Sequence, residues 1–295
     1  MSQHSAGKQN AAAPPAPIFV LAPPLGLGGH LAACLGRHAQ LQNLPATQLL
    51  CADSPAALSA RWEGRMRFVD HGLIRAVAGL VFGGESPENA ARAQAWLAAR
   101  RQAPSGEIFA ALCAAAAPRR LVDASFLYPV DAGALARLAA LYPEARYIHF
   151  LRHPGACFDG PEAAQSRSEA LWLKPHLAIH AFLQERPAGA WIRLRQEALA
   201  AAPGALLDGV LAWLGLAAPD GAAGAGEALT DPGRPADFAR RGPEPSPYGV
   251  DPELVADPEL ARLFDTADAE AAARGWEAAG FDNETRQMAR LFGYL

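Results

Sequence analysis

The sequence predicts an α/β fold, a single domain in which a parallel sheet is flanked by helices on both faces. Three observations carry this. Short apolar runs alternate with segments of helical periodicity along most of the chain. The first run, IFVLA at residues 18–22, passes directly into a glycine-rich turn and then a helix. The 295 residues, 51% hydrophobic and 19% charged, are enough to bury one large core.

The elements follow in order. IFVLA, bounded by prolines, reads as a buried parallel strand. The turn PPLGLGG and the helical run LAACLGRHAQL complete a strand–loop–helix unit of the kind that cradles phosphate in nucleotide-binding folds. Helices are expected over 70–83 and 87–101, the second opened by Ser86-Pro87, and over 105–117. RLVDAS at 120–125 is the next strand, followed by the helix GALARLAALYP and the strand ARYIHFLR at 145–152. A helix over about 168–185, the strand WIRLR at 191–195 and a helix over 203–215 continue the alternation. Residues 217–258 are dominated by Gly, Pro and Asp and read as a long irregular lid. RQMARLFGYL resumes an apolar helix, and no internal repeat is visible.

Bulk properties exclude several function classes. A formal net charge of −4 gives no footprint for duplex nucleic acid, so any anion site must be local. No apolar run approaches the roughly 20 residues of a membrane span. Residues 1–16 lack the basic-then-apolar order of a secretory signal and read as a disordered lead-in to a domain over 17–295. Cys34, Cys51, Cys113 and Cys157 are scattered without metal-ligand spacing, which fits free thiols in the cytoplasm.

RLVDASFLYPVDAGALARLAALYPEARYIHFLRHP (120–154) and WIRLRQEALAAAPGALLDGVLAWLGL (191–216) resemble the two best-known stretches of the sulfotransferases that use 3′-phosphoadenosine 5′-phosphosulfate (PAPS). DHGLIRAVAGL, GPEPSPYGVDPEL and FGYL resemble the bacterial branch found beside nonribosomal peptide and polyketide assembly lines. The resemblance spans about residues 17–295. It implies a P-loop-like sulfotransferase fold and PAPS, or its product PAP, as cofactor.

Sulfuryl transfer needs backbone N–H groups and a cation on the phosphosulfate, an anchored 3′-phosphate and a base for the acceptor proton. Where the family carries a loop like P-P-R-S-G-T-T, this chain has Pro23-Pro24-Leu25-Gly26-Leu27-Gly28-Gly29. The cation position is Leu25, and the hydroxyl positions are Gly28 and Gly29. Backbone donors around Gly26, Gly28 and Gly29 remain as an anion cradle. By the same resemblance Arg152 is the 3′-phosphate ligand, but its serine partner is Gly160. The family's acidic base corresponds to Ala46, and the lysine after the strand's acid to Ala124. In the R-Y-E-D-L-like segment Gln196 and Ala198 flank a retained Glu197. Arg240 or Arg241 stands for a cationic lid residue.

Each remaining candidate carries two readings. Arg152 is a phosphate ligand or a sheet-edge arginine paired with a carboxylate. His30, at the start of the first helix, is a neutral base or a capping residue. His71 is an acceptor-side group or structural, and His153 belongs to the family's turn. His176 and His180, four apart on a helix, are a metal pair or, without a third ligand, a surface or interface pair. Cys34 and Cys157 are a nucleophile near the pocket or small buried hydrophobes. Arg240 and Arg241 close over an anion or are a solvated pair.

Three functions compete on this sequence. The first is a repurposed natural-product enzyme transferring a group to or from a small or carrier-tethered substrate. The second is a working PAPS sulfotransferase acting on a hydroxyl or amine. The third is a non-catalytic scaffold, with a filled cleft and an exposed apolar patch.

Overall fold

A computed structural model describes residues 13–63, 70–131, 133–157, 169–216, 224–231, 263–264, 266, 281 and 283–294. Five strands, β1 (Ile18–Leu21), β2 (Leu41–Asn43), β3 (Arg120–Asp123), β4 (Arg146–Leu151) and β5 (Trp191–Arg195), form one sheet. Its order is β2-β3-β1-β4-β5, and every pairing is parallel. The sheet is therefore central, and its side chains alternate between two cores. Ile18 and Val20 of β1 enter one cluster; Phe19 and Leu21 enter the other.

Helices cover both faces. On the first lie α1 (Gly28–Leu35), α9 (Gln196–Ala201), α10 (Pro203–Trp213) and α11 (Ala225–Thr230). The other carries α2 (Pro55–Trp62), α3 (His71–Phe82), α4 (Pro87–Ala99), α5 (Ser105–Ala116), α6 (Ala134–Leu141) and α8 (Glu169–Gln184). A four-residue turn of helix, α7 (Pro154–Cys157), follows β4, and α12 (Asn283–Leu291) packs against α8. Phe19 anchors the second face, stacked on Tyr147 at 5.9 Å and tilted against Phe109 at 5.8 Å.

The structure corrects the sequence reading in two places. The apolar run after the glycine turn is not one helix: α1 ends at Leu35, and Leu41–Asn43 pair with β3 as an additional edge strand. Gly36 lies against the Asn43 side chain, where a Cβ would overlap it, so helix end and strand meet closely. RLVDAS thus supplies the third strand, not the second. The reading also missed α2, although Ser54-Pro55 opens it as Ser86-Pro87 opens α4; each serine Oγ accepts from a backbone N–H three residues on, at 3.2 and 3.1 Å. Among the described residues no helix is long and apolar enough to cross a membrane. The lid expected at 217–258 lies largely outside the described residues.

Candidate functional site

Parallel strands send all their outgoing loops to one edge of the sheet. At β1 the chain order reverses, since β3 lies on one side and β4 on the other. A crevice at such a switch point is where open α/β sheets place ligands.

The loop from β1 to α1 sits in that crevice. Gly26 N–H bonds the Pro23 carbonyl at 3.0 Å, closing a tight turn. Leu25 and Leu27 adopt left-handed backbone, with φ of 66° and 56°. That conformation disfavours a branched side chain by about 1–2 kcal/mol per residue. Packing forces the glycines: a Cβ on Gly28 would lie 2.9 Å from Ala22 Cβ, and one on Gly26 would lie 2.9 Å from the Pro23 oxygen. Gly29 has open space around it. Helix α1 starts at Leu27 with no side-chain cap and no acidic residue in its first turn. Its positive end is thereby directed at the crevice. Half-buried His30 belongs to that first turn.

Arg152 comes from the β4 exit, next to the loop. Its Nη1 donates to the Leu25 carbonyl at 3.1 Å, and the residue is only 4% exposed. The guanidinium therefore braces the loop. The Arg152 carbonyl accepts the Trp172 indole N–H at 2.9 Å. One residue on, His153 N–H donates to Glu197 Oε1 at 2.7 Å, and Tyr294 donates its hydroxyl to Glu197 Oε2 at 3.1 Å. Glu197 thus ties the Arg152 turn to the segment after α12. Burial lowers the His153 imidazole to about 4, and its Nδ1 accepts from Gly155 N–H at 3.0 Å. It is neutral at pH 7.

On the opposite side of the crevice a buried polar network holds the exits of β2 and β3. Asp123 Oδ1 accepts from Ser125 N–H (2.9 Å) and Ser125 Oγ (2.7 Å), and Oδ2 accepts from Tyr128 Oη (2.7 Å). Ser125 Oγ accepts the Gln48 N–H at 3.0 Å, and Gln48 Oε1 accepts the Leu127 N–H at 3.1 Å. Gln48 is held at φ 53°. Burial raises the Asp123 carboxyl to about 6, the hydrogen bonds opposing it.

Ala46 lies on this loop, and α3 begins against it, since a Cβ on Gly72 would overlap the Ala46 carbonyl oxygen. His71 is consequently next to Ala46. It is partly buried, its Nε2 stands 3.7 Å from Asp70 Oδ1, and its buried Nδ1 has no hydrogen-bond partner among the described residues. Burial lowers its pKa below the ordinary histidine value, against a smaller opposing pull from Asp70. His71 is thus a neutral imidazole at pH 7.

The other candidates separate. Cys157 is buried beside the loop, its Sγ 3.9 Å from the Leu25 carbonyl. Cys34 is not at the crevice; its Sγ donates to Leu229 O at 3.5 Å beneath α11, and burial raises its thiol to about 12. His176 and His180 are not a surface pair. His176 is fully buried, His149 Nε2 meets its Nδ1 at 2.9 Å, and Arg193 reaches His149 Nδ1 (3.3 Å) and His180 Nδ1 (3.2 Å). Phe292 covers this cluster, with the Arg193 guanidinium 4.6 Å above its ring. Arg240, Arg241 and Gly160 lie outside the described residues. The sequence reading missed Trp172, Tyr294 and the Ser125–Gln48 bond. Only the retained Glu197 and the acid of the VDASF segment signalled these networks.

Comparison with known proteins gives a consistent result. Residues 17–220 match the model of a sulfotransferase family. The fold is similar to that of the sulfotransferase domain of the Synechococcus PCC 7002 olefin synthase, with 24% identity, 98% of each chain covered and a TM-score of 0.74. It is similar also to the sulfotransferase domain of the curacin biosynthetic pathway, with 20% identity, 95% of this chain and 98% of that one covered, and a TM-score of 0.74. No curated protein matched.

Proposed function

Because the chain belongs to the sulfotransferase family, we propose that it is a natural-product transferase of that fold whose PAPS site is eroded, acting on a small or carrier-tethered substrate. The observation that carries this is the occupancy of the loop. Position 25 offers an exposed leucine where phosphosulfate chemistry needs a cation, and the nearby Arg152 guanidinium is engaged by the Leu25 carbonyl. Among the described residues, the side chains of the loop do not fit a phosphosulfate nucleotide; the uncapped start of α1 supplies backbone donors alone. Each missing charge-assisted bond is worth about 1.5–3 kcal/mol, so several together lower nucleotide affinity by some four orders of magnitude. The two similar domains come from an olefin synthase and from the curacin biosynthetic pathway, which supports the pathway class.

His71 is the base in this reading. It is neutral, borders the crevice and stands beside Ala46, the position of the family's carboxylate. His30, on the first turn of α1, is the second titratable group. The alternative, an active PAPS sulfotransferase, is favoured by one observation: Arg152 already lies beside the loop. Calorimetric titration with 3′-phosphoadenosine 5′-phosphate, with Arg152→Ala alongside, decides between them. The expected result is no heat of binding at millimolar nucleotide. Micromolar binding that Arg152→Ala abolishes would overturn the eroded-site reading and establish a rebuilt site.

A further inference from the structure

Helices α6 and α8 run side by side on one face of the sheet, and between them lies a trough of about 940 Å³. Its wall is apolar along most of its length: Leu135, Ala136 and Ala139 on α6, Leu171, Pro175, Ala178 and Phe182 on or near α8. The mouth keeps Val130 47% and Leu171 36% exposed, which is unusual for large apolar side chains facing water together. The trough follows α8 from Lys174 to Glu185, roughly 16 Å at the helical rise. Such a shape suits one extended aliphatic chain.

The charges along the trough are unevenly satisfied. At the far end Arg186 stacks over Phe182 at 4.9 Å and pairs with Glu185 at 3.5 Å. At the mouth the Asp131 carboxylate is taken up by Arg61 and by the N–H groups of Gly133 and Ala134 at 2.9 and 3.0 Å. Lys174 alone, among the described lining residues, carries a charge with no ion pair or hydrogen bond. Pro175 beside it has no N–H to give the Leu171 carbonyl. The mouth therefore offers one uncommitted cation at the end of an apolar channel.

We propose that this trough binds a single-chain aliphatic carboxylate, its tail between α6 and α8 and its head on Lys174. The mouth lies at the same edge of the sheet as the candidate site, because α8 starts there. Trp172, two residues before Lys174, holds the Arg152 carbonyl. The inference does not rest on the reading of the nucleotide site.

The test is calorimetric titration of the full chain with dodecanoate. One equivalent binds, and affinity falls about fourfold for each methylene removed, so octanoate binds far more weakly. Ala178→Trp, at a half-buried position in the trough, abolishes binding. Ala136→Trp, at an exposed position, is the second blocking variant if the first does not fold. Lys174→Glu weakens dodecanoate about fivefold and leaves dodecanol, which has no charge, unaffected. Absence of binding, or binding that survives both tryptophan variants, overturns the proposal. So does a dimer in sedimentation that Ala178→Trp converts to monomer without any dodecanoate binding, which would assign the trough to a second copy of the chain.

Discussion

Replacing Asp123 by asparagine isolates the charge on which the crevice's polar network is built. The carboxylate is fully buried and accepts from Ser125 and Tyr128 only through neutral donors. Burial raises it from 3.8 to about 6. In the unfolded chain it ionises near its ordinary value, so the folded state holds the proton more tightly. Folding is accordingly favoured below the unfolded value and progressively penalised as pH rises through about 6. At about 1.4 kcal/mol per unit the full penalty is about 3 kcal/mol, and about 2 kcal/mol of it develops between pH 4 and 7. The carboxamide of Asp123→Asn cannot ionise, and its oxygen retains the Ser125 bonds. Urea unfolding of both proteins across pH 4–8 measures the difference, in which all other titrating groups cancel. The expected result is that D123N gains about 2 kcal/mol on the parent over that range. A pH-independent difference would refute the reasoning, because it would mean that the hydrogen bonds to Asp123 fully offset its burial and its pKa does not change on folding.

Other perturbations test other parts of the structure. Burial holds the thiols of Cys34, Cys51 and Cys113 up at about 12, so all three should stay silent to a thiol reagent at pH 8 and react once denaturant is added. Gly72→Ala forces a methyl onto the Ala46 carbonyl and should lower stability by about 1–3 kcal/mol in urea unfolding, displacing His71 as well. Arg75, 5% exposed, holds Glu85 through Nε at 2.5 Å and Nη2 at 3.2 Å; Arg75→Ala removes this two-point, charge-assisted contact and should cost about 1.5–3 kcal/mol in urea unfolding. Leu25→Arg restores the missing cation and should raise calorimetric affinity for 3′-phosphoadenosine 5′-phosphate by at least about tenfold. An unchanged affinity would mean that the loop is not where the nucleotide phosphate goes.

What the sequence revealed follows from where its signals are local. β1, β3 and β4 announce themselves because a central parallel strand is apolar on both faces, as IFVL and YIHFL are, and β5, at the sheet edge, by the alternation in WIRLR. β2 escaped because it is three residues long, at the sheet edge, and two of the three are Gln42 and Asn43, buried though polar. The glycine loop was legible from its spacing, and so was Arg152 through the turn that follows it. The environment of each was not. That Arg152 faces the Leu25 carbonyl depends on a contact across 127 residues, and His176 is buried against His149, Trp172 and Phe292, which the helix spacing of His176 and His180 could not reveal. Spacing within one helix gives the face of a side chain; the partner on that face comes from elsewhere.

Arg152 is where fold and function have to be disentangled. As a brace it supplies a part-buried charge-assisted bond to the Leu25 carbonyl, in a loop that holds two leucines in left-handed backbone. Removing it leaves that carbonyl only the weak Cys157 thiol at 3.9 Å, a loss of about 1–3 kcal/mol, or several degrees in melting temperature for a domain of this size. As a phosphate ligand it could keep that bond, because the Leu25 carbonyl takes one Nη1 donor of the five N–H groups that a guanidinium carries. Among the positions that differ from the family pattern, Leu25 and Gly29 make no side-chain hydrogen bond that holds the loop, and a Cβ at Gly29 would meet open space, so the loop does not depend on them as it does on Arg152. Arg152→Ala should therefore melt several degrees lower while Leu25→Ala, which keeps the carbonyl and its bond, should not. Equal melting temperatures for Arg152→Ala and the parent would refute the bracing role and leave the guanidinium available to an anion in the crevice.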